Sequence, residues 1–344
     1  YRVVGNVDDE RKQAVKDGLA ASGGKDQFMG MTDYTKEKIQ KLEYKKNESV
    51  LEIISFANEE SNRLMIELGI NPIDVPDENV HILPDDVFLD RESHFFAKAD
   101  NKDLEADSDT ISQSIYLSAE KMRMKSATEI AVIIFHEMLH IKGHLSLEVN
   151  VKEDGREEMT SYRGGMKIKA LQKDTDEGLY YTYFKGMDEA LVSSQEKRML
   201  TNLKSHKVFA EDVKWMNSDV AKKLRVDLAH QEDEPVEEIH WVSKDGKRFV
   251  LGGYEKYRGV FRYVLEQITE QFTDTYKSPN DVEKEFLKAH FTGHLLGIGK
   301  LVEKTFGKGS FRVLGRMRTE SETDNFSAKE ILEQLQIMRA EIKR

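Results

Sequence analysis

Residues 126–143 read SATEIAVIIFHEMLHIKG. Ser126 and Glu129 match a capping box, in which the two side chains bond to each other's backbone N–H groups at the start of a helix. Gly143 is of the residue type that commonly ends one. The stretch between them is strongly apolar, so it predicts a buried helix that nevertheless carries two histidines and a glutamate. These three side chains need partners there, because unsatisfied polar groups are costly to bury.

The polar side chains of this helix follow the pattern HExxH, with His136, Glu137 and His140. Histidines four residues apart lie on one helical face, so both imidazoles can reach one zinc ion at about 2.0–2.1 Å. Glu137 lies on the same turn, where its carboxylate can hold a zinc-bound water and take its proton. The pattern predicts a catalytic site with one Zn²⁺ per chain. The alternative is a surface or internally paired cluster of histidines.

A single catalytic zinc ion takes three protein ligands and leaves its fourth position to water. His144 continues the four-residue spacing, but in an unbroken helix it would lie about 12 Å along the axis from His136. Ser146 stands where the longer pattern HExxHxxGxxH requires its last histidine. The third ligand is therefore expected to be a carboxylate of a later segment. The candidates are Asp188, Glu189 and Glu196.

The segment HEMLH, followed some tens of residues later by MDEALV at 187–192, resembles the gluzincin group of zinc peptidases, especially its small single-zinc members. In that group a glutamate at the head of a later helix is the third ligand, and the matching residue here is Glu189. The resemblance covers mainly residues 111–200. It implies an α+β, zincin-like fold, with a small mixed sheet and the active-site helix in the N-terminal part and a mainly helical C-terminal part.

The resemblance also implies features around the metal. Gluzincins bind extended substrates along an edge strand above the cleft, and residues 111–117 occupy the matching place before the active-site helix. In many members an acidic residue four positions after the ligand glutamate supports a zinc histidine. That position is Ser193 here, so the support must differ. The group stabilises the oxyanion with a tyrosine or histidine, for which the candidates are Tyr181, Tyr183, Tyr254 and Tyr257.

These observations predict a zinc-dependent metallopeptidase in which Glu137 activates a zinc-bound water for attack on a peptide carbonyl. One alternative is a non-catalytic zinc-binding scaffold with a zincin fold. A structural site needs no Glu137 and usually fills all four positions with protein ligands, which argues against that alternative. The other is a zinc hydrolase that acts on a non-peptide amide.

The composition limits the partners. Acidic residues outnumber basic ones 63 to 52, giving a net charge of -11, so the chain has no general electrostatic reason to bind nucleic acid. It contains no cysteine, which excludes disulfides, thiolate ligands and cysteine nucleophiles. The most apolar stretch, residues 131–135, is far shorter than the roughly 20 residues that cross a bilayer. The expected partner is a peptide or protein substrate, and the oligomeric state is left open.

The chain begins at Tyr1 rather than Met, so a leader or pro-segment upstream would make export an alternative to the expected cytoplasmic location. The expected organisation has three parts. An N-terminal extension covers residues 1–44, a zincin subdomain with the active-site helix covers 45–150, and a mainly helical subdomain with the third ligand covers 151–344.

Local patterns predict the remaining elements. They are a loosely attached segment at 1–35, a helix at 47–68, strands at 80–83, 111–117, 162–168 and 179–184, a charged loop at 98–110, a helix at 187–203, a hairpin with a type I′ turn at Asp245-Gly246, and helices after Tyr254. His290 and His294 share a metal-type spacing but are expected to be packing or surface residues. The acidic run at 232–238 is expected to be a solvated linker.

Overall fold

The computed structural model describes residues 1–21, 39–95, 104–153, 155–171, 180–232, 236, 239–247, 249–251, 255–317 and 327–342. Over these residues the protein is a mixed α+β structure with small sheets and many helices, as the sequence predicted. The strands are β1 (Arg2–Val4), β2 (Val80–Leu83), β3 (Ala106–Asp109), β4 (Ser114–Ser118), β5 (Leu145–Val151), β6 (Glu157–Gly164), β7 (Lys167–Leu171), β8 (Tyr180–Tyr183), β9 (Ile239–Val242) and β10 (Phe249–Leu251).

The helices alternate with these strands in the first half of the chain and dominate the second half. They are α1 (Asp9–Ala21), α2 (Glu48–Glu67), α3 (Asp85–Phe95), α4 (Ala119–Arg123), α5 (Ala127–Lys142), α6 (Lys185–Asn202), α7 (Ala210–Met216), α8 (Asp219–Glu232), α9 (Glu255–Gln271), α10 (Pro279–Thr292), α11 (Leu295–Phe306), α12 (Ser310–Gly315) and α13 (Ala328–Ile342). In the described part of the chain, no helix combines the length and apolar character that a membrane span requires.

Helix α5 carries HExxH and lies at the centre of the main hydrophobic cluster. Its predicted capping box is confirmed, because Ser126 Oγ accepts from the Glu129 N–H and the Glu129 carboxylate accepts from the Ser126 N–H. The helix packs against α2 and α6, and β3 and β4 also contact it. Residues such as Ile134 and Met138 are completely buried in these contacts. The position of α5 is therefore set by elements from both halves of the chain.

A buried lysine also ties α5 to α2. The ammonium of Lys142 lies 2.7–2.8 Å from side-chain oxygens of Asn58, Ser61 and Asn62, all on α2. A lysine is rarely buried this completely unless its donors are satisfied, and here three side-chain acceptors surround it. The last turn of the helix that carries His140 is consequently held in a defined place.

The three-stranded sheet has the order β2-β4-β3, with β2 parallel and β3 antiparallel to β4. The prediction of an edge strand over residues 111–117 is wrong. The strand in this region is β4, it begins at Ser114, and it is central. The outer strand of the described sheet is β3, which lies inside the range predicted to be a loop and contacts α5.

The error has a physical cause. The resemblance alone implies the edge position, and the alternation of Ile115 and Leu117 with polar neighbours predicts only that the strand has one solvated face. Tyr116, on the other face, is 0% exposed because it packs with Val87 and Phe88 of α3. The strand is central because it pairs with β2 along one edge and with β3 along the other, and β2 and the cover from α3 come from segments distant in the sequence.

The five-stranded sheet has the order β1-β5-β6-β7-β8, in which only β1 and β5 are parallel. Neither β1 nor β5 was predicted. Val3 and α1 pack on β5 in a separate hydrophobic cluster, so the expectation that residues 1–21 are loosely attached is wrong, and residues 22–35 lie outside the described residues. The sheet contains strands from all three of the expected ranges 1–44, 45–150 and 151–344.

Other predicted elements agree with the structure. The helices at 47–68 and 187–203 and the strand at 80–83 are confirmed as α2, α6 and β2. The predicted strand at 162–168 is instead the end of a hairpin, where β6 stops at Gly164 and β7 starts at Lys167. The hairpin of β9 and β10 is confirmed, but its turn is not type I′, because Gly246 has a positive φ and Asp245 does not.

We expect Ser126→Ala to lower the free energy of unfolding by about 1 kcal/mol, since the helix loses its side-chain cap. Urea denaturation followed by circular dichroism measures the change. Ser205→Ala is the control, because that hydroxyl is exposed and bonds only to the local Asn202 carbonyl. Equal midpoints for the two variants would show that the cap adds nothing to the stability.

Candidate metal centre

Three side chains converge at the middle of α5 and the start of α6. Nε2 of His140 lies 3.1 Å from Nε2 of His136. Oε2 of Glu189 lies 3.2 Å from Nε2 of His136 and 3.3 Å from Nε2 of His140. Among the described residues, this is the group of three or more potential ligands whose donor atoms meet closely enough to hold a metal ion. A buried His136, His140 and Glu189 group of this kind could bind one ion.

The spacing of the donor atoms fits such an ion. Tetrahedral coordination with bonds of about 2.0–2.1 Å places neighbouring ligand atoms about 3.3–3.4 Å apart. The three observed separations, 3.1, 3.2 and 3.3 Å, are close to that value. Two nitrogens and one oxygen also form the donor set of a catalytic zinc site with a free fourth position. The residues present therefore fit the zinc ion that the sequence predicted.

Local backbone geometry brings Glu189 to the histidines. Between β8 and α6 the chain reverses at Phe184, a residue with φ of +62°, which is uncommon outside glycine. Its ring is buried against Phe311, and its N–H donates to the Gly315 carbonyl. These contacts hold the strained residue and start α6 at Lys185, so Glu189 lies in the first turns of the helix. The predicted arrangement of strand, helix and glutamate is confirmed.

The Nδ1 atom of each histidine contacts a carboxylate of α6. Nδ1 of His136 lies 2.8 Å from Oε1 of Glu196, and Nδ1 of His140 lies 3.0 Å from Oδ2 of Asp188. Donation of the Nδ1 proton to these carboxylates leaves both Nε2 lone pairs directed at the metal position. Asp188 and Glu196, the alternative ligand candidates, thus contact the outer edges of the rings. They provide the support that Ser193 cannot.

Asp188 is itself part of a buried network. Its Oδ1 accepts from the Met166 N–H at 2.8 Å and lies 2.9 Å from Nδ1 of His290, whose Nε2 is 3.0 Å from the Leu139 carbonyl. Burial opposes ionisation of Asp188, but the charges of His290 and Lys167, with hydrogen bonds from His140 and His290, bring its pKa well below the usual value. The network keeps this carboxylate charged and fixed.

Two glycines leave room for that network. Gly165 has a φ of +57°, and a Cβ there would lie 2.5 Å from the His290 ring and 2.7 Å from Asp188 Oδ1. Gly143 has a φ of -58°, so it is not the left-handed helix cap that its position suggests. A Cβ on Gly143 would lie 2.9 Å from His290 Nε2. Close approach of the His290 ring therefore requires both residues to be glycine.

Glu137 lies beside the ligand triangle but is not part of it. Its Oε2 accepts a hydrogen bond from the Ser108 hydroxyl at 2.6 Å, and Ser108 belongs to the edge strand β3. This contact connects the carboxylate next to the metal position with the strand that borders the site. Glu137 therefore has a defined orientation next to the three converging side chains, as a proton acceptor requires.

The charges of the ligand groups depend on one another. Burial lowers the pKa of His136, but hydrogen bonds with Glu189 and Glu196 outweigh it and hold that pKa well above the ordinary value. Burial and Lys167 lower the pKa of His140, and Glu189 with Asp188 more than reverse this. Protons on the two rings therefore supply positive charge among the carboxylates, and a divalent cation would supply the same charge when it replaces them.

Several predicted candidates lie outside the triangle. His144 follows the end of α5 and its Nε2 lies 3.1 Å from the Ser146 hydroxyl, so neither residue reaches the metal position. His294 is exposed at the start of α11, which excludes a His290–His294 metal pair. Of the four tyrosines proposed for the oxyanion, Tyr257 is buried and Tyr183 half-buried in the main hydrophobic cluster. Tyr254, the Tyr181 side chain and most of the acidic run at 232–238 lie outside the described residues.

Sequence reasoning missed three residues of the site: Ser108, Lys167 and His290. Each lies on an element other than α5 and α6, and none belongs to a short motif. The one available signal was the four-residue spacing of His290 and His294, from which packing or surface residues were expected, and His290 is indeed buried. Their proximity to the histidines arises only when β3, β7 and α10 pack around α5.

Comparison of the chain with protein-family models, with curated proteins and with solved structures gave no match. The resemblance to gluzincins accordingly depends on the HEMLH and MDEALV segments alone. The candidate metal centre depends on the geometry of its own side chains.

We expect the metal-free protein to bind one zinc ion, and Glu189→Ala to remove most of the affinity because only two protein ligands remain. Glu196→Gln should weaken binding by about 10- to 100-fold, the usual effect of losing the partner of a ligand histidine. Competition with a chromophoric chelator measures these affinities. His294→Ala is the control and should bind as the parent does. Parental affinity in Glu189→Ala would remove this residue from the ligand set.

Zinc affinity should also fall as the pH is lowered. The raised pKa of His136 means that its ring holds a proton below that pKa, and zinc must displace it. Each displaced proton should cost about tenfold in apparent affinity per pH unit, and affinity should level off above the raised pKa. Calorimetric titrations in buffers of different ionisation enthalpy count the released protons. Binding without proton release at neutral pH would contradict the inferred charge state.

Proposed function

We propose that the protein is a zinc-dependent metallopeptidase. The observation that carries the proposal is the convergence of His136, His140 and Glu189 within 3.3 Å of one another, with Glu137 adjacent and oriented by Ser108. A zinc ion bound there would act as a Lewis acid and lower the pKa of water. Proton transfer and the orientation of the histidines are assigned to side chains of the protein.

Glu137 has the position of a general base. It lies on the same helical turn as His136, and the Ser108 hydroxyl donates a hydrogen bond to its carboxylate. We assign it the proton of the attacking water and the return of that proton to the leaving amine nitrogen. Asp188 and Glu196 orient the two histidines and do not react. Side-chain exposure of 13% for His136 against 5% for His140 favours solvent access from the His136 side.

Strand β3 is the element best placed to bind an extended substrate. Its inner edge pairs with β4, and its other edge has no strand partner in the described sheet. An extended peptide can add to such an edge through main-chain hydrogen bonds. Ser108 lies on this strand and contacts Glu137, so a peptide along β3 would pass the general base. This supports a peptide substrate over a non-peptide amide.

The non-catalytic scaffold remains the alternative to test. A scaffold would keep the same ligands, but its zinc would have no use for Glu137. The hydrogen bond between Ser108 and Glu137 supports the enzymatic proposal, because it orients a carboxylate that makes no contribution to ligation.

We expect Glu137→Gln to keep zinc and fold while losing at least about 10³-fold in hydrolysis, since the amide cannot accept the proton. Cleavage of unfolded casein by the zinc-loaded protein, followed by mass spectrometry of the fragments, measures the activity. Glu148→Gln, on the exposed side of β5, is the matched control and should cleave as the parent does. Identical fragments at identical rates from Glu137→Gln would disprove the assigned role. Zinc binding without any cleavage by the parent would favour the scaffold.

A further inference from the structure

The side chain of Lys167 reaches the metal centre although no part of the proposed reaction uses it. Its Nζ lies 3.7 Å from Oε1 of Glu189, 3.5 Å from Oδ2 of Asp188 and 3.4 Å from Nδ1 of His140. The side chain is 27% exposed, so it reaches inward from the rim of the site. A cation beside a metal position repels the metal and therefore needs a compensating role.

The two oxygens of Glu189 have different neighbours, and this difference defines the role of the lysine. Oε2 faces the Nε2 atoms of both histidines, at 3.2 and 3.3 Å. Oε1 faces the ammonium of Lys167 instead, at ion-pair distance. A carboxylate can bind a metal through one oxygen or through both. Here Oε2 is the oxygen that lies beside the histidine nitrogens, and Oε1 is the oxygen that lies beside the positive charge.

The backbone holds Lys167 where it can act in this way. Lys167 begins β7 and pairs with Gly164 across the tight hairpin that contains Gly165. The backbone N–H of the preceding residue, Met166, donates a hydrogen bond to Asp188. The Cα of the lysine is thus fixed relative to α6, which carries both carboxylates.

We infer that Lys167 is a positioning residue that makes Glu189 a one-oxygen ligand and so keeps the metal four-coordinate with one open position. The inference rests on the metal site proposed above. Zinc sites with three protein ligands bind water in the fourth position, and a second oxygen from the glutamate would compete for that place. The lysine therefore protects the open position without touching the metal.

Cobalt(II) substitution tests the inference without any assay of activity. Visible absorption per bound Co²⁺ is strong in four-coordinate sites and weaker when the coordination number rises. We expect Lys167→Met to lose at least half of the parental molar absorbance per bound cobalt. Lys167→Arg keeps the charge and should restore it. Lys169→Met, an exposed lysine on the same strand, is the control and should match the parent.

The possible outcomes distinguish failure of the proposed metal site from failure of the role inferred for Lys167. Failure of the parent to bind cobalt or zinc would refute the metal site itself. A parental spectrum in cobalt-loaded Lys167→Met would leave the metal site intact and overturn the role of the lysine. Equal losses in Lys167→Met and Lys169→Met would also overturn it. If Lys167→Met does not fold, Lys167→Gln, which keeps a donor but no charge, serves in the same comparison.

Discussion

Two imidazole rings four residues apart on a buried helix present four ring nitrogens, and every one of them needs a partner. Glu196 and Asp188 satisfy the two Nδ1 atoms, at 2.8 and 3.0 Å. The two Nε2 atoms face each other at 3.1 Å with a carboxylate oxygen beside them. Lone pairs this close repel one another unless protons or a cation lie among them. The surrounding structure is organised by this requirement.

Helix α6 supplies the carboxylates that contact these ring nitrogens. Adjacent residues of a helix point about 100° apart, so Asp188 and Glu189 reach opposite edges of the His140 ring. Glu196 lies two turns beyond Glu189 on nearly the same face, and it reaches the outer edge of His136. The packing of α6 against α5 therefore places the ligand carboxylate and both supporting carboxylates together. Three acids concentrated in this way need positive charge nearby. Lys167 contributes it from β7, and Nδ1 of His290 on α10 lies 2.9 Å from Asp188.

The success of the sequence-based predictions depended on how local their signals were. Helix α5 was predicted correctly because its capping box and its apolar character lie within one stretch of chain. Helices α2 and α6 and strand β2 carried similar local signals. The edge strand was assigned wrongly, because the central position of β4 depends on its pairing with both β2 and β3, which no local pattern shows. Strand β1 was missed, since its pairing with β5 joins residues more than 140 positions apart. Strand β5 was missed although its apolar residues Leu145, Leu147 and Val149 alternate with polar ones, which is a local signal for a strand.

The same distinction between local and long-range information applies to the candidate site. The sequence by itself determined the HExxH helix and the absence of thiolate ligands, because these follow from residue identity and helical spacing. The three acidic candidates for the third ligand came from the resemblance of the MDEALV segment to gluzincins. Only the tertiary structure decided which acid joins the histidines and which two support them. It also brought Ser108, Lys167 and His290 to the site. The physical reason is that donor atoms a few ångströms apart belong to elements separated by tens to more than one hundred residues, and only the packing around α5 brings those elements together.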